Sequence, residues 1–289
     1  MSPLRRLFLE NFYRITASGW IPRRLVGAFP PPTPGVPRAS EPLKLEIVSH
    51  CWNYAHLLTY QLSSLVLYPP TRVSIRMTVF HSPEDRQTCE VLEHFAQVKV
   101  PGVTWNWRPL EKPRLFRRAI GRNLAALATE ADWIWFTDCD QVFHRGCLDA
   151  LAVALTDHKA NLVFPRVVGC TTMLQADDPM FRAVGGPPAI VDIDLSRFAP
   201  VRHSKAVGAL QIVRGDVARA IGYCDGIRLY REPLAHWQKT YEDRTFRWLI
   251  GSDGEPVDID GLYRISHVHK GRYRGIRKLV RLLPLRKAG

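Results

Sequence analysis

From Leu43 onward the chain alternates apolar runs with amphipathic stretches. LKLEIVSH (43–50) is a short apolar run that ends in polar residues, which predicts a buried strand. Residues 52–68 (WNYAHLLTYQLSSLVLY) predict a helix, stopped by Pro69-Pro70. VSIRMTVF (73–80) alternates as a strand does, EDRQTCEVLEHFAQ (84–97) repeats as a helix does, and VTWNW (103–107) reads as a short strand. A helix with an alanine-rich apolar face is predicted over 115–130, a buried strand over 133–136, a helix over 147–156 and a strand over 161–165. Strands alternating with helices predict an α/β fold with a mostly parallel central sheet and helices on both faces. In such sheets ligands sit outside the carboxyl ends of the strands. The chain shows no internal repeat.

Composition and charge narrow the class. With 289 residues, 46% hydrophobic and 23% charged, the chain is long enough for a real core and too apolar to be disordered throughout. No apolar run approaches the length of a membrane-spanning helix, and Arg5, Arg6, Glu10 and Arg14 break up any signal-peptide pattern. The net charge of +13 sits at the ends: residues 1–40 hold six arginines against Glu10, and 264–289 hold nine Lys or Arg and no acid. The body between holds 25 basic and 26 acidic residues. A nucleic-acid-binding domain would more often carry its basic residues on the body, so the pattern favours an anionic membrane surface over nucleic acid.

Tyr273, Ile276, Leu279, Val280 and Leu283 fall at helical spacing among arginines and Lys278, giving a basic amphipathic segment over 271–289. Leu4, Leu7, Phe8, Phe12 and Ile15 form a second stripe in the 1–42 segment. Either stripe can lie on a membrane or pack on the protein's own core. The six prolines of 28–42 make a stiff connector before the main domain, 43–270. Six scattered cysteines without a C-x-x-C pair fit reduced thiols in a cytoplasmic protein, with the basic ends available to the inner face of a membrane.

Asp138-Cys139-Asp140 follows the apolar run Trp133–Phe136. Side chains two apart in an extended chain share a side, so the carboxylates can converge where the strand leaves the core. Clustered carboxylates suit a hard cation, Mn²⁺ or Mg²⁺. The plainer reading is that these acids cap the next turn or helix. The flanking sequence shifts the weight. RRAIGRNLAALATEADWIWFTDCDQVF (117–143) resembles the nucleotide-sugar-binding half of GT-A glycosyltransferases, above all family 2, with Arg122-Asn123 ahead of Asp138. GALQIVRGDVARAIGYCDG (208–226) is similar to the family's segment ending in a Gly-x-x-Asp turn, and Glu242-Asp243 in 236–251 to its acidic pair opening a helix. DGLYRISHVHKGRY (260–273) supplies His267 and His269 where many GT-A enzymes place a metal-binding histidine. The resemblance implies a GT-A (Rossmann-like, nucleotide-sugar-binding) domain, with 43–165 binding the donor and 166–270 facing the acceptor.

It also implies roles. Asp140 would bind the metal, and Asp138 the ribose or, through water, the metal. His269, or His267, would complete the metal site. Arg122 would contact the base or the diphosphate of a nucleotide-diphosphate sugar. Lys270 and Arg272 would engage the diphosphate or simply begin the basic tail. Asp243 would be the general base, with Glu242 the alternative; the pair can also merely complement a helix dipole. Transfer to an acceptor hydroxyl would invert the sugar's anomeric centre, and the basic ends point to a lipid-linked or cell-envelope glycan acceptor. Arg244-Thr-Phe-Arg247-Trp248 lies too close to the acidic pair to be the motif of processive synthases and reads as helix packing with an acceptor contact.

One departure stands out. Where the family has a base-reading Asp after its second strand, this chain has Phe80 or His81, with Asp85 displaced. Residues 171–188 (TTMLQADDPMFRAVGGPP) predict an irregular loop. Two rival readings remain: a haloacid-dehalogenase-like phosphohydrolase, whose D-x-D opens its domain, and a non-enzymatic membrane or nucleic-acid binder acting through its basic ends.

Overall fold

The computed structural model describes residues 3–17, 41–236 and 241–268. The sequence expectations for the C-terminal basic segment, for His269, Lys270 and Arg272, and for most of the proline-rich connector lie outside these residues.

A seven-stranded sheet organises the molecule. β1 (Leu43–Cys51), β2 (Val73–His81) and β3 (Val103–Pro109) run parallel, with α2 (Ala55–Leu67) and α3 (Arg86–Ala96) as their crossovers. α1 (Pro3–Ile15) precedes them. After β3 the chain forms α4 (Lys112–Phe116) and α5 (Arg118–Ala128), then β4 (Trp133–Phe136), parallel to β1 on its other side. These elements match the sequence expectations closely. The exception is the single helix expected over 115–130, which breaks at Arg117 (φ −92°, ψ 85°). The break turns the Arg117 side chain into the interior, where it is 0% exposed.

β4 runs out into β5 (Gln141–Phe143), followed by α6 (Cys147–Leu155), β6 (Leu162–Pro165) and β7 (Val167–Thr171). α7 (Pro179–Ala183), β8 (Phe198–Arg202), β9 (Gln211–Arg214), α8 (Gly215–Ile221) and α9 (Arg228–Arg231) come next. α10 (Glu242–Ile250), β10 (Glu255–Val257) and β11 (Leu262–Arg264) follow. The central order is β10-β6-β9-β4-β1-β2-β3. Only β9 is antiparallel to its neighbours, so the sheet is mostly parallel as expected. A second sheet, β5-β11-β7-β8, was not foreseen from the sequence.

Trp133, Ile134, Trp135 and Phe136 are all buried, as a strand covered on both faces requires. Full burial of side chains of this size contributes about 1.5–3 kcal/mol each. The order β2-β1-β4 reverses direction at β1, which makes the crevice beyond the carboxyl ends of β1 and β4 the topological switch point. All six cysteines are free thiols. Among the described residues, no helix is long and apolar enough to cross a membrane.

Candidate active site

Asp138, Cys139 and Asp140 form the turn that carries the chain from the central sheet into the second one. They cap no helix, since β5 follows directly. The turn is held from three directions. Gln141 N–H donates to the Asp138 carbonyl (3.2 Å), Gln61 Nε2 on α2 donates to the same carbonyl (3.0 Å), and Ile265 N–H donates to the Asp140 carbonyl (2.9 Å). Gln61 is itself fixed by Ser49 Oγ (2.7 Å). Asp140 is almost wholly buried, whereas Asp138 keeps about a quarter of its side chain open.

Two arginines on one face of α5 address Asp138. Arg118 donates directly to its Oδ1, and Arg122 Nη2 lies 3.6 Å from the same atom. The Asp138 charge, partly opposed by burial, holds the Arg118 guanidinium even more firmly protonated than usual. Arg118 is one-third exposed and has donors to spare. Arg122, which the resemblance assigned to the ligand, is 2% exposed and committed inward, to Tyr223 Oη (2.8 Å) and the Thr137 carbonyl (3.4 Å). Sequence reasoning missed Arg118. Its position one helical turn before Arg122 was the available signal.

The acidic pair opens α10 and divides in two. Glu242 is buried: Oε2 accepts from Ala119 N–H (3.0 Å) and Oε1 lies 3.6 Å from Arg117 Nη1. It therefore satisfies the start of α5, whose first residues have no side-chain cap of their own. Asp243 keeps a third of its side chain exposed, 3.8 Å from Arg247 Nη1. It borders Gly208, whose missing Cβ would stand 3.8 Å from Oδ2. The Arg-Thr-Phe-Arg-Trp stretch does pack: Phe246 is buried, and Arg247 Nη1 donates to the Ala206 carbonyl (2.7 Å).

His267 is buried beside an aromatic group. Its ring lies 5.1 Å from Tyr54, 6.2 Å from His56 and 6.3 Å from Phe181. Among the described residues, no three His, Cys, Asp or Glu side chains gather as a metal cage. At the base-reading position, Phe80 is buried under His50 (5.0 Å between rings, 24° apart). Asp85 is taken up structurally, accepting from Thr88 Oγ1 (2.6 Å) and Asn53 N–H (2.6 Å). His50 is another residue the sequence did not flag. Burial, reinforced by the charges of Arg122 and Arg118, keeps its imidazole well below the ordinary histidine pKa, hence neutral. Residues 171–188, expected as a loop, contain α7 and border a cavity of about 940 Å³ with the outer faces of α2 and α3.

The sequence model of glycosyl transferase family 2 matches residues 51–198, just over half of the chain. The chain belongs to that family. Among curated proteins no match was found. Solved structures of glycosyltransferases share its GT-A fold. S. aureus TarS 1–349 in complex with UDP is 14% identical, with a TM-score of 0.50, over 77% of this chain and 60% of that one. Mannosyltransferase PcManGT from Pyrobaculum calidifontis, in complex with GDP-Man and Mn²⁺, is 14% identical with a TM-score of 0.45, over 93% of this chain and 67% of that one. At such identities the likeness speaks for the fold alone, and this chain spans about three-fifths of the TarS fragment.

Proposed function

We propose that this family 2 protein transfers a sugar from a nucleotide-diphosphate sugar to an acceptor hydroxyl, with inversion, assisted by Mn²⁺ or Mg²⁺. The observation that carries the reading is the Asp138-Cys139-Asp140 turn at the switch-point crevice, with the Arg118 guanidinium on its rim. The UDP bound in the TarS structure of similar fold supports a nucleoside-diphosphate donor.

Two carboxylates bring only hard oxygen donors, and Mg²⁺-like ions are commonly held by one or two carboxylates plus substrate phosphates. Asp138 is partly spent on Arg118, so Asp140 would be the principal protein ligand. His269 lies outside the described residues, and His267 is buried with its ring 5.1 Å from Tyr54; either would be the histidine ligand that the resemblance implies. A bound cation would neutralise the charge that grows on the departing diphosphate.

Arg118 adds fixed positive charge at the same end of the donor. The acceptor oxygen attacks C1 from the face opposite the leaving group. The C1–O bond breaks, its electron pair stays on the diphosphate, and the acceptor's proton passes to a carboxylate. Asp243 suits that last role because it is open, whereas Glu242 is occupied by Ala119 N–H and Arg117. Such a base contributes about 10²–10⁴-fold in rate. The phosphohydrolase reading loses support because its aspartate pair opens a domain, and here three parallel strands precede β4, the strand that Asp138 follows.

The basic ends favour an acceptor at an anionic membrane, such as a lipid-linked or cell-envelope glycan. α1 supports this by leaving Leu4, Phe8 and Ile15 exposed. The test of the enzymatic reading is release of UDP or GDP from a panel of sugar nucleotides with Mn²⁺. Asp243→Asn should lower turnover by about 10²-fold or more without lowering the melting temperature. Equal turnover in wild type and Asp243→Asn would remove Asp243 from the chemistry.

A further inference from the structure

α10 begins without a side-chain cap, and Tyr241 before it sits in the left-handed region (φ 58°), a strained place for a tyrosine. The position of Asp243 is therefore set by what grips the first turn of α10 from outside. One grip is the hold of the Glu242 side chain on Ala119 N–H of α5, and a second is Cys224 Sγ, which donates to the Glu242 carbonyl (3.6 Å). A third is a line of buried side chains that the reaction itself does not use. Arg122 Nη1 donates to Tyr223 Oη (2.8 Å), Tyr223 Oη donates to Gln211 Oε1 (2.8 Å), and Gln211 Nε2 donates to the main-chain carbonyl of Asp243 (3.0 Å). At its other end, Arg122 holds the Thr137 carbonyl and faces Asp138. The line thus joins the residues that open the donor turn to the residue proposed as base.

Arg122, Tyr223 and Gln211 are all at most 2% exposed, so none of them meets substrate. The Tyr223 ring is clamped by Phe246 of α10 (4.2 Å, stacked) and Phe136 at the end of β4 (4.8 Å, edge-on). That packing would serve a phenylalanine equally well. Only the hydroxyl completes the tie, and burial keeps it a protonated donor by raising its pKa. The adjoining turn is built around this contact. Gly222 (φ 62°) has no Cβ, which would otherwise stand 2.3 Å from Asn123 Oδ1, and that oxygen accepts from Tyr223 N–H (2.8 Å).

We propose that Tyr223 and Gln211 are positioning residues that fix the distance between Asp243 and the Asp138–Asp140 turn. The proposal rests on the reading of Asp243 as general base. Displacement of a catalytic group by about 1 Å can cost about 10²-fold. Loss of the tie should therefore lower kcat and leave donor binding alone, because the Arg118–Asp138 contact does not depend on it.

The test uses the full chain and a sugar nucleotide that wild type turns over in the presence of Mn²⁺, assayed well below the melting temperature of every variant. Tyr223→Phe should lower kcat by about 10-fold or more with KM for the donor within about twofold. Gln211→Met should behave alike and guards against a folding defect peculiar to one substitution. Adding Tyr223→Phe to Asp243→Asn should cost nothing further, since a residue that acts through the base has no effect once the base is gone. An unchanged kcat in both single variants, matched losses in kcat and donor affinity, or an additive loss in the double variant would overturn the proposal. A wild type that turns over no sugar nucleotide would overturn the enzymatic reading as well, and is told apart because the wild-type signal itself is missing.

Discussion

His50 lies one residue before the end of β1, with its ring buried against Phe80 and neither ring nitrogen hydrogen-bonded. A Cβ on Gly121 would stand 2.2 Å from His50 Nε2, so α5 approaches this closely only because residue 121 is glycine. The neutral imidazole has a consequence for stability. Its folded pKa lies well below the unfolded value of about 6.5, so protons bind the unfolded chain more readily. The stability it protects is complete above pH ~6.5 and is lost as the pH falls through ~6.5 toward the folded value. Burial acts on His81 and His203 in the same direction. The melting temperature should therefore drop between pH 7.5 and 5, and less steeply in His50→Phe. Identical slopes for wild type and variant would contradict this assignment. At this scale the sequence singled out Asp138, Asp140 and the acidic pair because a motif concentrates carboxylates there. It was silent on His50 and Arg118, whose surroundings come from what the folded chain packs against them, and it put Asp243 ahead of Glu242 without showing that Glu242 is buried against Ala119 N–H and Arg117 while Asp243 stays one-third exposed.

Among the elements from β1 to β6, all but β5 and the division of α4 from α5 were readable because each carries its own period and its own stop, such as Pro69-Pro70 after α2. The break between α4 and α5 was not. It exists to send Arg117 inward to Glu242 and to the Glu232 carbonyl (3.1 Å), partners more than a hundred residues away. The same arginine reaches α1, with Arg117 Nη2 4.0 Å from Glu10 Oε1, and the Tyr13 ring lies 6.1 Å from Tyr230. α1 is thus seated on the body through one face and presents Leu4, Phe8 and Ile15 on another. If that face meets an anionic membrane, the full chain should sediment with vesicles containing phosphatidylglycerol and far less with pure phosphatidylcholine. Leu4→Asp combined with Phe8→Asp removes side chains worth about 1.5–3 kcal/mol each when buried, so partitioning should fall at least about tenfold. Unchanged sedimentation of the double variant would exclude α1 as the membrane contact.

For the whole molecule, the mostly parallel sheet was expected, but the second sheet and the insertion of β9 between β4 and β6 were not. Both depend on pairing across long stretches of chain, as between β5 and β11, and short strands of three or four residues leave little periodicity to read. These long-range pairings build the site: β11 continues into Ile265, which fixes Asp140, and β9 supplies Gln211 beside Asp243. The account as a whole stands on Asp140 and a divalent cation gripping the diphosphate of a donor. Calorimetric titration of UDP and GDP into the full chain, with and without Mn²⁺, tests this most directly. The account predicts that one of them binds at least about tenfold more tightly with Mn²⁺ and that Asp140→Asn abolishes this gain. Binding of neither nucleotide, or binding that ignores both Mn²⁺ and the substitution, would contradict it.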